Sequence, residues 1–137
     1  MDGLKQLRKA VKGDGLVVIL DYNHQKIEWN PQPPAAMLKF YTAFLEWREN
    51  AGMDNEIADH LYDMFKELGF RDIEVSPQLE TSRRKDPNFF EKIDLWARVA
   101  ESRGIQIVED GFISEADRIK AIGDYRDWIE NYAESQT

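Results

Sequence analysis

The chain has no cysteine and only two histidines in 137 residues. Without cysteine there is no disulfide framework, no thiolate metal site and no thiol nucleophile. His24 and His60 lie far apart, with no H-x-x-x-H pair and no EF-hand-like spacing of aspartates, so no metal site is expected. No G-x-S-x-G elbow is present to support Ser-His-Asp hydrolysis. No apolar run approaches the roughly 20 residues that cross a bilayer. The start, Met1-Asp2-Gly3-Leu4-Lys5, lacks a charged-then-apolar leader pattern, and a cytoplasmic address follows by default. Positive charge is also scarce, with 18 Lys and Arg against 26 Asp and Glu and a net charge of −8. That balance argues against nucleic acid and against acidic membrane surfaces as partners, both of which are gripped by clustered cations. The one basic cluster, Arg83-Arg84-Lys85, reads as a solvated strand end.

What is present is a soluble globular composition, 42 % hydrophobic and 32 % charged, in a length that suits a single domain with a real core. The most informative stretch is Lys12-Gly13-Asp14-Gly15-Leu16-Val17-Val18-Ile19-Leu20-Asp21-Tyr22-Asn23-His24. Five aliphatic residues apolar on every side predict a strand buried on both faces, the usual condition of a parallel sheet. Ligands of open α/β sheets bind beyond the carboxyl ends of such strands, which is where Asp21, Tyr22, Asn23 and His24 fall.

Before this strand, Leu4, Leu7 and Val11 give the apolar stripe of a helix over 2–12, with Gly13 placed to end it in the left-handed conformation. The strand that should precede such an α–β unit is missing, so the sequence reads as starting partway through a sheet. Residues 25–34, with three prolines and Trp29, predict a loop. Helical spacing of Met37, Phe40, Tyr41, Phe44 and Leu45 predicts a helix over 35–50, with Pro34 at its start. Asp54 or Asn55 can cap the next helix, over 56–68, which Gly69 terminates. Ile73, Val75, Leu79 and Thr81 alternate as in a half-buried strand, and Pro77 confines that strand to a sheet edge or bulge. Asp86-Pro87 opens a helix to about Ser102; Arg103 to Phe112, with two glycines, reads as a loop. Ser114-Glu115-Ala116-Asp117 resembles a capping box for a last helix to about Tyr132, and the polar tail 133–137 reads as frayed.

In two segments this order resembles the S-adenosylmethionine-dependent methyltransferases of the Rossmann-like class. Leu7-Arg8-Lys9-Ala10-Val11-Lys12-Gly13-Asp14-Gly15 followed by Leu16 to Asp21 is similar to the helix, "vLkpGG" turn and fifth strand of that family. Phe65-Lys66-Glu67-Leu68-Gly69-Phe70-Arg71-Asp72-Ile73-Glu74-Val75 is similar to its next helix, "aGF" turn and sixth, edge strand. The resemblance implies an α/β fold with a partial, two-stranded doubly wound sheet, helix-rich, in which 1–137 is the C-terminal part of the enzyme. Residues 34–51 and 87–132 are then helical insertions over the substrate. The cofactor half is absent: no G-x-G-x-x-G or shorter equivalent precedes a helix, and Gly13-Asp14-Gly15 precedes a strand. The family's seventh strand, which inserts between the fifth and sixth, is absent too. S-adenosylmethionine is therefore the implied cofactor, bound chiefly by a missing N-terminal half or another subunit and not tightly by this chain alone.

Methyl transfer to a small-molecule acceptor needs an aligned nucleophile and often a base for its proton. His24 is the candidate base, since an imidazole titrates near neutral pH; the plain alternative is an exposed loop histidine. Asp21, Tyr22 and Asn23 are candidates to orient substrate, or else cap the strand end. Trp29 and Tyr41 could stack on a flat substrate, or pack in a core, and Asp54 and Asn55 could face the same cleft, or cap a helix. His60 falls on the polar side of its helix. A second reading is a non-catalytic helical α/β module that binds a small molecule or protein through its aromatic surface. A buried strand without neighbours also predicts a strand-exchanged homodimer for the isolated chain.

Overall fold

The computed structural model describes residues 2–137, and its contacts group them into two compact units. The first unit comprises 1–25 and 55–78, the second 26–54 and 79–137. Composition and periodicity had placed the whole chain in one domain. The protein is a helix-rich α/β chain whose sheet is small and antiparallel.

The second unit holds nearly all of the core. Helix α2 (Ala35–Asn50), a short α4 (Phe89–Ile93), α5 (Leu95–Glu109) and α6 (Glu115–Asn131) surround buried Met37, Phe40, Phe89, Ile93, Ala97, Ala100, Ile107, Ala121 and Tyr125. The predicted loop after Ser102 is instead the second half of α5. Ala97, Ala100, Gly104 and Ile107 continue one buried stripe at helical spacing. Gly104 is the reason its glycine does not break the helix. A Cβ there would meet Arg118 Cδ at 3.0 Å and Phe40 Cε2 at 3.2 Å, so glycine lets α5 approach its neighbours closely. The single helix predicted from Pro87 is broken at Asp94, which ends α4 and begins α5. Asp86 caps a turn, not that helix: its Oδ2 accepts the Arg83 N–H at 2.7 Å. Ser114 does cap α6, its Oγ accepting the Asp117 N–H at 3.1 Å.

The sheet joins three two-residue strands, β1 (Trp29–Asn30), β2 (Ser82–Arg83) and β3 (Ser135–Gln136), in the order β1-β3-β2. Both pairings are antiparallel, with Gln136 opposite Trp29 on one side and Ser82 on the other. The tail that polarity marked as frayed is thus the central strand. Glu28 and Thr137 exchange backbone hydrogen bonds of 2.9 Å, and Glu134 N–H donates to the Asn30 carbonyl at 2.8 Å. Backbone pairing, which a polar composition does not disclose, orders it. Arg84, within the cluster read as solvated, turns its guanidinium onto carbonyls at and just past the end of α6. Nη1 donates to Ile129 O at 3.0 Å and Ala133 O at 2.8 Å, and Nη2 donates to Glu130 O. These are carbonyls that a helix end leaves without partners.

Tyr125 ties the core together through its hydroxyl, which donates to Ile93 O at 3.0 Å and accepts from Trp29 Nε1 at 3.2 Å. Burial raises the Tyr125 phenol above its ordinary range, against a smaller lowering by the Trp29 hydrogen bond; burial likewise raises that of Tyr41, with Arg48 opposing. A folded-state value above the unfolded one stabilises the fold below the unfolded value and loses that contribution as pH rises beyond it. The second unit should therefore lose stability above about pH 10, where an unfolded tyrosine ionises. Phenolate absorbance should rise for these two side chains only as tryptophan fluorescence reports unfolding, and the Tyr41→Phe, Tyr125→Phe pair should flatten the alkaline slope. Smooth phenolate titration of all tyrosines in a still-folded chain would refute this.

The first unit is built differently. It holds helix α1 (Asp2–Ala10), helix α3 (Ile57–Glu67) and chain without regular structure, and Leu4 is its only buried hydrophobic residue among those described. On α3 the stripe Ile57, Leu61, Met64, Phe65 and Leu68 is half-buried along its length. Arg8 lies over the Phe70 ring, which meets Phe65 edge-on at 4.7 Å. Gly69 ends α3 with φ +76, as its sequence position predicts. Gly13 does not act this way: α1 stops at Ala10, and the positive-φ glycines among the described residues are Gly52, Gly69 and Gly111.

The two predicted strands of a doubly wound sheet are not formed. Residues 16–22 and 73–81 belong to no ladder. Leu16, Val18 and Leu20, expected to be buried, are 85, 79 and 76 % exposed, whereas Val17 and Ile19 between them are half-buried. A run apolar on both sides is buried on both faces only if neighbouring strands and two covering layers exist, and here the run pairs with no strand and only Val17 and Ile19 are partly covered. Val75 is exposed for the same reason. Among the described residues no helix is long and apolar enough to cross a membrane.

Candidate functional site

The open strand-like run of the first unit ends in a tip whose geometry is fixed by hydrogen bonds. Asp21 Oδ1 accepts the Tyr22 N–H at 2.8 Å, and Asn23 Oδ1 accepts the Gln25 N–H at 2.8 Å. These are Asx-type contacts, in which a short side chain holds the turn that follows it. Asn23 Nδ2 then donates to Asp59 Oδ2 at 2.8 Å, and the His24 N–H donates to the Asn55 carbonyl at 2.8 Å. The tip is thereby fastened at two points to the start of α3. Asn55 is only 2 % exposed and uses its backbone for this contact; the cap position of α3 is Glu56, without a side-chain capping bond. The Tyr22 and His24 rings stand 6.5 Å apart, tilted by 41°.

Asp21, Tyr22, Asn23, His24 and Asn55 are therefore neighbours. Asp59 joins them and was not singled out by sequence. No local pattern marks it: Asp59 lies in the first turn of α3, which begins at Ile57, and reaches Asn23, 36 residues earlier in the chain. His60 is exposed on that helix, in keeping with its polar-side position. In chemical terms the tip offers an imidazole, a phenol and a carboxylate beside a fixed backbone, groups that take up protons and orient hydroxyl or amine substrates.

The remaining candidates lie in the second unit. Trp29 and Tyr41 meet edge-to-face at 5.3 Å and 88°, and Tyr41 meets Trp96 at 4.7 Å and 87°. Both belong to the core packing, with Tyr41 buried. Asp54 is exposed at the end of the turn after α2, next to Met53, whose N–H donates to Arg48 O at 2.9 Å.

Gly15, the closest thing to a cofactor-loop glycine, is closed over by its own chain. Its N–H donates to Lys12 O at 2.9 Å, and a Cβ on it would meet Val11 Cγ2 at 2.6 Å. Its lack of a side chain serves a local turn and leaves no open approach to a ligand. Among the described residues no group of three or more His, Asp or Glu side chains could hold a metal ion. The site is that of a helix-rich α/β chain with an unpaired aliphatic run ending in a polar tip. No family model, curated protein or solved structure matches the chain.

Proposed function

We propose that this chain is the substrate side of a Rossmann-like S-adenosylmethionine-dependent methyltransferase acting on a small-molecule acceptor, with the cofactor held by polypeptide outside these residues. The observation that carries this reading is the run Leu16 to Leu20. It belongs to no ladder, alternates between half-buried and exposed aliphatics, and leads directly into the fastened tip Asp21 to His24. That is how a central sheet strand looks when only one of its faces has been covered. The helix before it and the helix and Gly69 turn after it follow the order of the family segments they resemble. Within this reading His24 takes the proton of an acceptor hydroxyl or amine, and Asp21, Tyr22, Asn23 and Asn55 hold the acceptor or the loop that holds it. The alternative, a binding module acting through surface aromatics, is weakened because Trp29 and Tyr41 are packed inward.

The test is to purify the chain from its own cells in its natural assembly and supply methyl-labelled S-adenosylmethionine with a low-mass metabolite fraction. Label should pass to small molecules, and His24→Ala should slow transfer by about 10²–10⁴-fold, the usual worth of a general base. Calorimetry on the isolated chain should show no tight cofactor binding. Absence of both label transfer and any cofactor-binding polypeptide in the assembly would overturn the proposal.

A further inference from the structure

The run Leu16-Val17-Val18-Ile19-Leu20 has a property that strand pairing with an unrelated sequence would not require: it reads almost the same in both directions. We propose that this run pairs antiparallel with the same run of a second copy of the chain, about a twofold axis through Val18. In that register Leu16 faces Leu20, Val17 faces Ile19 and Val18 faces its own counterpart. Every pair joins two large aliphatics, the kind of cross-strand pair that supports an antiparallel ladder. One step beyond, Asp21 falls opposite Gly15, so no carboxylate meets a carboxylate and the glycine leaves room for the aspartate. A twofold contact of this kind is isologous, with each copy presenting the same surface.

The structure supplies the other requirements. The run belongs to no ladder, so pairing breaks none and gives its backbone groups partners. Leu16, Val18 and Leu20 are largely exposed and lie on one side of the run, so the paired copies bring six such side chains edge to edge. Five residue pairs make a small interface, and the dimer is accordingly weak. The inference does not rest on the methyltransferase reading. A complementing sheet would compete for the same edge, so failure of methyl transfer and failure of dimerisation are separate results.

The absence of native cysteine gives a clean test in the full chain. Directly opposed residues bring their Cβ atoms to about 4.5–5.5 Å, close enough for small shifts to allow a disulfide. Residues four steps out of register are about 13 Å apart. Under mild oxidation Val18→Cys should link into covalent dimers at least about tenfold faster than Leu16→Cys or Leu20→Cys alone, given that separation. Mixing the Leu16→Cys and Leu20→Cys chains should restore fast linking between them. In sedimentation the natural chain should gain mass between about 1 µM and about 1 mM, the range of a weak contact. Val18→Lys, at an exposed position, should keep the circular dichroism and abolish the gain. Equal linking rates for the three single variants, or a monomer across the whole range, would overturn the proposal.

Discussion

Replacing Phe40 by alanine should lower the urea midpoint of the second unit by the equivalent of about 3–5 kcal/mol, the usual loss for a fully buried aromatic side chain. Phe40 is fully buried on α2 and is the ring against which Gly104 lets α5 close. Its removal takes away transfer free energy and leaves a void on a face where the chain is held by close approach, so collapse around the site is limited. Such a loss is comparable with the whole stability of many domains, roughly 5–15 kcal/mol. Tryptophan fluorescence is a selective probe, because all four tryptophans (Trp29, Trp47, Trp96 and Trp128) fall within the second unit. The midpoint should fall with the slope of the transition unchanged. A shift equivalent to less than about 1 kcal/mol would mean that α2 and α5 do not share this packed interior.

Arg84→Met should cost about 2–3 kcal/mol by the same measurement, with Arg84→Lys recovering less than half. The guanidinium serves the carbonyls of Ile129, Glu130 and Ala133 together, and a hydrogen bond to a charged group is worth roughly 1.5–3 kcal/mol when well sheltered. Arg84 is only half-buried, so solvent reduces the sum of its bonds to the stated range. Methionine keeps the stem that covers apolar surface, so the loss reports the hydrogen bonds. Lysine carries the charge but not the planar fork that reaches several carbonyls at once. An unchanged midpoint for Arg84→Met would show that water replaces the guanidinium at the end of α6 without cost.

The helices were legible because their apolar period survives in the sequence. Residues 35–50 are helical as their spacing predicts, and Ser114 opens α6 with the side-chain bond its spacing suggested. Glycine misled at 104 because its role is contact between helices, which no local pattern reveals. The small sheet was invisible for a related reason. Two-residue strands have no alternation to detect, and Gln136 finds its partners at Trp29 and Ser82, far away in sequence. Leu16 to Leu20, predicted as a buried strand, forms no ladder and is largely exposed, since pairing and burial depend on layers that the sequence of the run cannot report. At the site, the tip 21–24 followed from that same run. Asp59 and the backbone role of Asn55 have no local pattern in the sequence, because they depend on where α3 begins.

The central position of β3 sets an order of events during synthesis. A chain emerging from the ribosome folds from its N-terminal side as residues become available. Yet β1 and β2 have no ladder with each other and meet only through Ser135 and Gln136. The carbonyls that engage Arg84 also lie late, at 129–133. The ladders of β1 and β2 and the bonds of Arg84 therefore form only once residues 129–136 are available. The sheet of the second unit closes late, when the strand made last of the three slides between two that were made long before it.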